Sequence, residues 1–445
     1  MSDSIRNSIS RRNFLQASVP VAGTVAFTEL GTNRVLGATQ GSDRIRVGII
    51  GCGGRGTGAG QNCLESTKGV EITAVADLFK QQAESAAKKF KVAPDRVFSG
   101  FDCYQQLLKT DVDMVILATP PGFRPAQFKA SIEAGKHVFM EKPIAVDPVG
   151  CRLVIEVSKL AKEKKLAVVA GTQRRHQTSY IETMKRIHGG DIGELVGGQC
   201  YWNGGGIWFR KKEGMTANLS DLEWQCYNWY HWDWISGDQV CEQHIHNIDV
   251  LNWCFNGPPK KIMAMGGRAN RDADILPLVK DTPDFKRMGE TNGHPNILGN
   301  IYDHTAAELE YANGVRVMSM GRHAPNKSAN RVAERIVGTK GVSNCADTIQ
   351  GEKPFSYSGE QKNPMITEHT DLIQSIRSGE PLNEGIRVAE STLTAIGIRM
   401  SAYTGREFSW EWLLNSSKLD IFPKELKPGP GFFPPVAIPG TTPLI

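Results

Sequence analysis

A short apolar run that ends in closely spaced glycines restricts the fold of this chain more than any other feature. The run Ile45–Ile50 is rich in β-branched residues, and residues 51–56 follow it with the pattern G-x-G-x-x-G. This pattern predicts a strand, a tight turn and the start of a helix, whose N–H groups and positive dipole end face an anion. We therefore predict a turn that holds the pyrophosphate of a dinucleotide. The predicted contacts are Gly51, Gly53, Gly54, Arg55 and Gly56.

An acidic residue ends the second β-rich run. Residues 70–76 form that run, and Asp77 follows the glycine motif by about 20 residues. A carboxylate in this place accepts a hydrogen bond from the 2′-hydroxyl of an adenosine ribose and repels a 2′-phosphate, which favours NAD over NADP. Thr119 and Pro120 follow a later run and should contact the cofactor at the same sheet edge. The alternative is a glycine-rich turn without a ligand.

The pattern of the sequence changes near residue 172. Between residues 44 and 171, strand-like apolar runs alternate with helical stretches, which predicts a parallel, doubly wound sheet. Later, longer alternating strands and glycine-rich stretches predict an α+β domain with a mainly antiparallel open sheet. The expected fold class is α/β. The predicted segments are a signal peptide at 1–38, a Rossmann dinucleotide-binding domain at 43–172, the α+β domain at 173–412 and a Pro-rich extended tail at 413–445.

Two arginines near the N-terminus indicate an export signal. Arg11 and Arg12 precede a mildly apolar run over residues 17–27. This order is typical of a twin-arginine signal, and the run is too short for a stable membrane span. We therefore expect export by the twin-arginine route to a periplasmic or other extracytoplasmic location. The alternative is a basic tail in which the arginine pair arises by chance.

Charge and cysteine usage argue against several classes of protein. The formal net charge of +5 comes from 52 basic and 47 acidic side chains, and no long basic run occurs beyond the N-terminal segment. This argues against nucleic acid as a partner. The nine cysteines include no Cys-x-x-Cys pair and are odd in number, which argues against a zinc ribbon and a disulfide framework.

A Glu-Lys-Pro sequence follows the short predicted strand His137–Met140. Glu141 and Lys142 would lie at the carboxyl edge of the sheet, where a lysine can donate a hydrogen bond to a reacting oxygen. Residues 135–143 read Gly-Lys-His-Val-Phe-Met-Glu-Lys-Pro. With the glycine motif, they resemble the glucose–fructose oxidoreductase, inositol dehydrogenase and rhizopine oxidoreductase (Gfo/Idh/MocA) family over roughly residues 43–412. The resemblance implies an NAD or NADP cofactor, a sugar, cyclitol or polyol substrate, a homo-oligomer, and contact of Lys142 with nicotinamide and substrate.

The resemblance extends to a second motif at residues 242–249. Glu242, His246 and Asp249 match its acid, histidine and second acid, and their spacing of i, i+4, i+7 would place them on one helix face. The resemblance implies that His246 is a general base, that Glu242 orients it or shares its proton, and that Asp249 binds a substrate hydroxyl. Glu242 stands where the family usually has Asp, and His244 where it has glycine, which suggests altered substrate geometry.

Two other interpretations of this motif remain open. A capped helix with buried, hydrogen-bonded histidines needs no chemistry at all. Glu242, His244 and His246 also have metal-ligand side chains, but their alternate spacing suits a strand instead of a helix, so we predict no metal.

Aromatic residues are concentrated between residues 201 and 234. Six of the nine tryptophans lie there together with three tyrosines. Sugar rings stack on aromatic side chains, so this region is predicted to shape a carbohydrate site, with a lid or a packed core as the alternative. The predicted substrate contacts are Arg174, Arg175, Trp208, His244 and Tyr302.

Together these features predict an exported NAD(P)-dependent oxidoreductase that acts on a sugar or polyol by hydride transfer. Free NAD is not expected outside the cytoplasm, so we expect a tightly bound cofactor that is recycled within one active site. One alternative is an NAD-dependent glycoside hydrolase, in which oxidation, elimination, water addition and reduction follow one another. The other is a non-catalytic sugar-binding protein of the same fold.

Overall fold

Two large β-sheets form the framework of residues 44–213, 217–324 and 328–445, which are the residues described by this computed structural model. The strands of the first sheet are β1 (Ile45–Ile50), β2 (Val70–Asp77), β3 (Val97–Ser99), β4 (Met114–Leu117), β5 (His137–Met140) and β6 (Val168–Ala170). All neighbouring pairs are parallel, in the order β3-β2-β1-β4-β5-β6. This is the doubly wound Rossmann order, so the predicted fold of this region is confirmed.

Helices cover both faces of this sheet, as parallel strands that are buried on both sides require. They are α1 (Gly54–Ser66), α2 (Lys80–Phe90), α3 (Cys103–Leu108), α4 (Arg124–Glu133) and α5 (Pro148–Glu163), and α6 (Thr178–His188) follows β6. Helix α5 is capped by Asp147, which accepts a hydrogen bond from Gly150 N at 2.7 Å, and Pro148 is its first residue.

In the described part of the chain the second sheet has nine strands, and among their pairings only that of β7 with β12 is parallel. The strands of this region are β7 (Leu195–Gly204), β8 (Lys261–Gly267), β9 (Glu290–Thr291), β10 (His294–Pro295), β11 (His304–Glu310), β12 (Arg316–His323), β13 (Arg331–Gly338), β14 (Gly341–Ser343), β15 (Thr348–Gly351), β16 (Phe355–Ser356) and β17 (Phe408–Ser409). The order is β16-β15-β14-β13-β7-β12-β11-β8-β17, and β9 with β10 forms a separate hairpin. The predicted, mainly antiparallel sheet is confirmed.

Helix α13 lies between the two sheets. The remaining helices are α7 (Asp221–Tyr227), α8 (Asp233–Ser236), α9 (Ile245–Cys254), α10 (Arg271–Val279), α11 (Pro283–Met288), α12 (Pro364–Ser378), α13 (Gly385–Thr404) and α14 (Trp410–Asn415). Helix α13 packs against α5, α9 and β8, so nearly all its residues from Val388 onward are buried. Helix α12 packs on α1. Gly379 and Gly405 end α12 and α13 in the left-handed conformation, as expected for helix C-termini.

Residues 416–445 contain no helix or strand and lie along the body of the same chain. The centres of the Phe422 and Phe123 rings are 5.2 Å apart, and the Tyr302 hydroxyl donates to the carbonyl oxygen of Ala437 at 2.9 Å. The predicted extended arm therefore packs on its own chain. The predicted twin-arginine signal lies outside the described residues. Within the described ranges, no helix is both long and apolar enough to cross a membrane.

Candidate active site

The glycine turn between β1 and α1 leaves open space beside its backbone. A Cβ atom on Gly56 would overlap the carbonyl oxygen of Gly51, and Gly51 itself has φ 95° and lies against the backbone of Thr119. At Gly53 and Gly54, by contrast, an added Cβ would meet nothing within 4 Å. Helix α1 begins here without a side-chain cap, so its first N–H groups are free to bind an anion. The turn therefore fits the diphosphate of a dinucleotide.

Asp77 at the end of β2 holds this turn in place. Its carboxylate accepts hydrogen bonds from Cys52 N at 2.6 Å and from Phe79 N at 2.8 Å. Burial raises the pKa of Asp77, and these two bonds oppose that rise. Each carboxylate oxygen can accept a further bond, so the side chain is still able to receive a ribose hydroxyl.

A cavity of about 540 Å³ lies at the carboxyl edge of the parallel sheet and is closed by residues that follow β7. Every residue predicted to bind the cofactor lines it, namely Gly51, Gly53, Gly54, Arg55, Gly56, Asp77, Thr119, Pro120, Glu141 and Lys142. Of the four predicted catalytic residues, Lys142, Glu242 and His246 line the cavity. Among the predicted substrate contacts, Trp208 does so.

Lys142 and Glu242 form a buried ion pair at the cavity wall. The Lys142 ammonium donates to Glu242 Oε1 at 3.0 Å and also to the backbone carbonyl of Glu242. The other carboxylate oxygen of Glu242 accepts from Gln243 Nε2 at 2.7 Å. The segment Val240–His244 is a π-helical turn, so the predicted continuous α-helix over 242–249 is wrong at its start. Such turns widen the helix and interrupt its regular hydrogen-bond ladder, which agrees with the Glu242 carbonyl facing Lys142.

His246, in the first turn of α9, is half-buried and faces the same cavity. Its ring stacks on the Trp202 ring at 5.7 Å, and no residue in the described ranges forms a hydrogen bond with its nitrogens. Burial, and then the charge of Lys142, hold the pKa of His246 well below its usual value. The imidazole is therefore neutral at physiological pH and able to accept a proton.

Asp249, which the sequence predicts to bind a substrate hydroxyl, does not line the cavity. Its carboxylate accepts from Arg175 at 2.8 and 3.0 Å and from Ser391 Oγ at 2.7 Å, with Arg387 at 3.3 Å. Although burial opposes it, the charges of Arg175 and Arg387 lower the pKa of Asp249 to about 2. This network joins α9 to α13 and also removes Arg175 from the predicted substrate contacts.

Three further predicted substrate contacts are also bound elsewhere. Arg174 pairs with the buried carboxylate of Glu334 on β13. His244 is fully buried and lies 2.7 Å from Ser319 Oγ, and burial lowers its pKa to about 3. Tyr302 bonds to the C-terminal segment. None of the three lines the cavity, because each has a polar partner that the sequence alone did not reveal.

Several cavity residues were missed. Gln173 directly precedes the arginine pair and lines the cavity where Arg174 and Arg175 were expected. Arg124 at the start of α4 is buried, and its guanidinium donates to the carbonyl oxygens of Pro143 and, at 2.6 Å, Thr119. Burial lowers the pKa of Arg124 to about 10. Arg124 therefore fixes the loop at Thr119 and the loop at Pro143, both beside Lys142. Its position shortly after Thr119 and Pro120 was the one sequence signal for this role.

The described residues contain no cluster of three or more His, Cys, Asp or Glu side chains suited to a metal ion. Glu242 pairs with Lys142 and His244 with Ser319, whereas His246 faces the cavity. His244 is therefore separated from the cavity that Glu242 and His246 line.

Two family profiles match the chain. One, described as an oxidoreductase family with an NAD-binding Rossmann fold, matches residues 45–172, and the GFO/IDH/MocA C-terminal domain matches residues 180–343. Inositol 2-dehydrogenase from Salmonella paratyphi B is 27% identical over 261 residues, which are 58% of this chain and 67% of that protein.

Solved structures share the fold. Apo scyllo-inositol dehydrogenase from Lactobacillus casei has a TM-score of 0.59 at 19% identity and covers 83% of this chain and 99% of its own. Aldose-aldose oxidoreductase from Caulobacter crescentus has a TM-score of 0.61 at 16% identity and covers 82% and 99%. At these identities the likeness concerns the fold alone.

Proposed function

This chain belongs to the Gfo/Idh/MocA family of NAD-binding oxidoreductases, and from that premise we propose that Lys142 and His246 carry out its proton chemistry. It is an NAD(P)-dependent oxidoreductase of sugars or polyols. One observation carries the proposal: Lys142 and His246 line the same cavity as the glycine turn. A hydroxyl-bearing substrate between them would lie next to the nicotinamide end of a dinucleotide whose diphosphate occupies that turn.

A bound nicotinamide supplies the hydride acceptor and donor. Neutral His246 accepts the proton of the substrate hydroxyl, since burial disfavours its charged form. Lys142 donates a hydrogen bond to the same oxygen as negative charge develops on it. Glu242 holds the ammonium in place at 3.0 Å and neutralises part of its charge. The Trp202 ring limits the rotation of the imidazole by stacking on it.

We propose NAD as the preferred dinucleotide. Asp77 lines the cavity with a buried carboxylate already tied to the turn, so it cannot move away from a ribose 2′-phosphate. The expected result is a kcat/KM for NAD at least about tenfold above that for NADP. An equal or higher value with NADP would contradict this assignment.

We propose a ring polyol, either a cyclitol or a sugar, as the substrate class. The named relatives are inositol dehydrogenases and an aldose-aldose oxidoreductase, which favours net hydride transfer over the glycosidase alternative. The export signal and a tightly held, internally recycled cofactor belong to the same proposal. Mass spectrometry of the denatured, purified chain would detect a retained dinucleotide, and the fractionation of tagged cells would show where the chain resides.

The proposal also includes a homo-oligomer formed through the outer face of the second sheet. Met263 and Met265 on β8 are 50% and 70% exposed, and Met318 on β12 is 36% exposed. All three face away from the helices, because the alternating residues Ile262 and Ala264 are buried against α13. Light scattering tests this, and a replacement of Met265 by Lys should shift an oligomer toward monomer.

Activity assays on a panel of cyclitols and sugars test the catalytic assignment. Lys142→Met and His246→Gln should each lower kcat by about 10²- to 10⁴-fold, which is the usual contribution of a positioned proton donor or acceptor. Lys129→Met is a matched control, because Lys129 is exposed on α4, pairs with the exposed Glu133 and does not line the cavity. If Lys142→Met turns over every substrate as fast as the unmodified chain, the assignment is wrong.

A further inference from the structure

The aromatic residues after β7 close the cavity on the side of Asp77. Tyr227 meets the Phe79 ring edge-on at 5.7 Å, and Phe79 lies two residues beyond Asp77. From the parallel sheet, this part of the cavity is lined by Asp77, Leu78, Phe79, Gln82, Gly100 and Phe101. From the segment after β7, it is lined by Trp208, Arg210, Cys226, Tyr227 and Trp229. Asp77 marks the ribose of adenosine, so these rings lie toward the adenosine half of the cavity and away from Lys142.

Arg210 is held between two of these rings. Its guanidinium lies 4.2 Å from the centre of the Trp208 ring and 4.7 Å from that of Tyr227, and its Nη1 donates to the Tyr227 carbonyl at 2.9 Å. The buried Asn228 side chain accepts from Arg210 N and donates to Arg210 O, both at 2.9 Å. Backbone and side chain of Arg210 are thus both fixed, and a cation is kept at the cavity wall.

This region has a hydrophobic core of its own. Trp224, Trp232 and Trp234 are almost fully buried in a cluster separate from the cores of the two sheets. The C-terminal segment adds Ile421, Phe422, Leu426 and Phe433 to that cluster. Gln225 on α7 bonds in both directions to the backbone of Phe432, at 2.8 and 2.9 Å. The segment after β7 is therefore held in place by the C-terminal arm as well as by its own packing.

We propose that Trp208, Arg210 and Tyr227 form an adenosine cover, a binding element for the adenosine diphosphate half of the dinucleotide supplied by the second domain. This inference rests on the proposed dinucleotide binding. The chemistry matches, because the faces of an adenine ring pack on aromatic side chains and a guanidinium attracts a diphosphate. The cover encloses the cofactor from the side opposite the glycine turn. It gives Trp208 and Tyr227 a role in cofactor retention instead of sugar stacking.

Binding of two cofactor fragments to the full chain tests the proposal. ADP-ribose carries the adenosine half and nicotinamide mononucleotide carries the other, and both are titrated calorimetrically. Arg210→Gln and Tyr227→Ala should each weaken ADP-ribose binding by about tenfold, the effect of losing one base–aromatic or charged contact. Binding of nicotinamide mononucleotide should stay within about twofold of the unmodified chain.

Arg186→Gln is the matched control, because Arg186 also stacks on a ring, that of Phe355 at 4.1 Å, but neither residue lines the cavity. If Tyr227→Ala does not fold, the exposed Arg210 still provides the test. Unchanged ADP-ribose affinity in Arg210→Gln, or an equal loss for both fragments, overturns the cover while leaving dinucleotide binding intact. If the unmodified chain, freed of any retained dinucleotide, binds neither fragment nor NAD, the proposed function itself fails.

Discussion

The two sheets bring polar side chains to the cavity in different ways. At the parallel sheet, Asp77 ends β2 and Glu141 directly follows β5, so the strand order alone carries both to one edge. At the second sheet, polar side chains mostly bind one another. Glu334 on β13, for example, receives Arg174 and also Asn247 at 2.6 Å. Position along a strand decides which residues form the first half of the site, whereas the available partners decide the second half.

The largest expected effect comes from the glycine turn, where position alone matters. In Gly56→Ala the new methyl group would overlap the Gly51 carbonyl, so the turn must shift and NAD affinity should fall by about 100-fold. Gly58→Ala, in the same helix, meets only the end of Arg55 at 4.0 Å and should change affinity by less than about twofold. Calorimetric titration of both variants with NAD measures this. Equal affinities would mean that the turn does not hold the dinucleotide.

Asp249 tests the other side of the comparison, where polar side chains bind one another instead of lining the cavity. In Asp249→Asn the half-buried guanidinium of Arg175 loses its counter-ion, whereas Arg387 keeps its ion pair with Glu384, so the free energy of unfolding should fall by about 3 kcal/mol. The remaining folded protein should keep its KM, because the side chain does not line the cavity. Urea unfolding and steady-state kinetics check the two parts. An unchanged stability with a raised KM would restore the predicted substrate contact.

The same difference between strand position and distant partners explains which features the sequence could predict. The Rossmann order was accessible, and so was the grouping of the ten predicted cofactor-binding residues around one cavity, because glycine spacing and strand ends are local signals. The π-helical turn at Val240–His244 was not, since its spacing looks like that of an ordinary helix. The burial of His244 against Ser319 was not accessible either, because Ser319 lies on a strand far along the chain.

The predicted sugar-binding aromatics illustrate the same limit. Composition correctly located the tryptophan-rich stretch, but it gave no signal for which rings would be buried. Trp224, Trp232 and Trp234 form a core, and Trp202 stacks on His246, whereas Trp208 lines the cavity. Only packing against α7 and the C-terminal arm separates these roles.

His176 follows β6 and pairs with acids from α12 and from the residue before α13, so its titration adds a pH-dependent contact to the comparison. Although burial opposes it, Asp371 at 2.6 Å and Glu384 at 3.5 Å raise the pKa of His176 to about 9. A raised pKa stabilises the fold fully below the unfolded value of about 6.5 and loses that contribution as pH rises through 9. The loss should reach at most about 3 kcal/mol.

Urea unfolding at pH 6 and at pH 10 measures this loss. His176→Gln should be less stable than the unmodified chain at pH 6 and close to it at pH 10. If the variant shows the same difference between the two pH values as the unmodified chain, then other groups produce the pH dependence and the ion pairs of His176 contribute nothing measurable.

Tyr302→Phe is expected to have the smallest effect, and it tests whether a side chain bound to a structural partner can still contribute to substrate binding. The variant loses one hydrogen bond to the Ala437 carbonyl, which should lower the free energy of unfolding by about 1 kcal/mol. The ring keeps its contact with Tyr403 at 4.5 Å, so the packing is preserved. KM for the best polyol substrate should not change, because the hydroxyl is directed at the C-terminal arm and not at the cavity. A several-fold rise in KM without loss of stability would instead mean that the arm moves aside and releases this hydroxyl to the substrate. The division between the two regions would then hold only for the ligand-free chain.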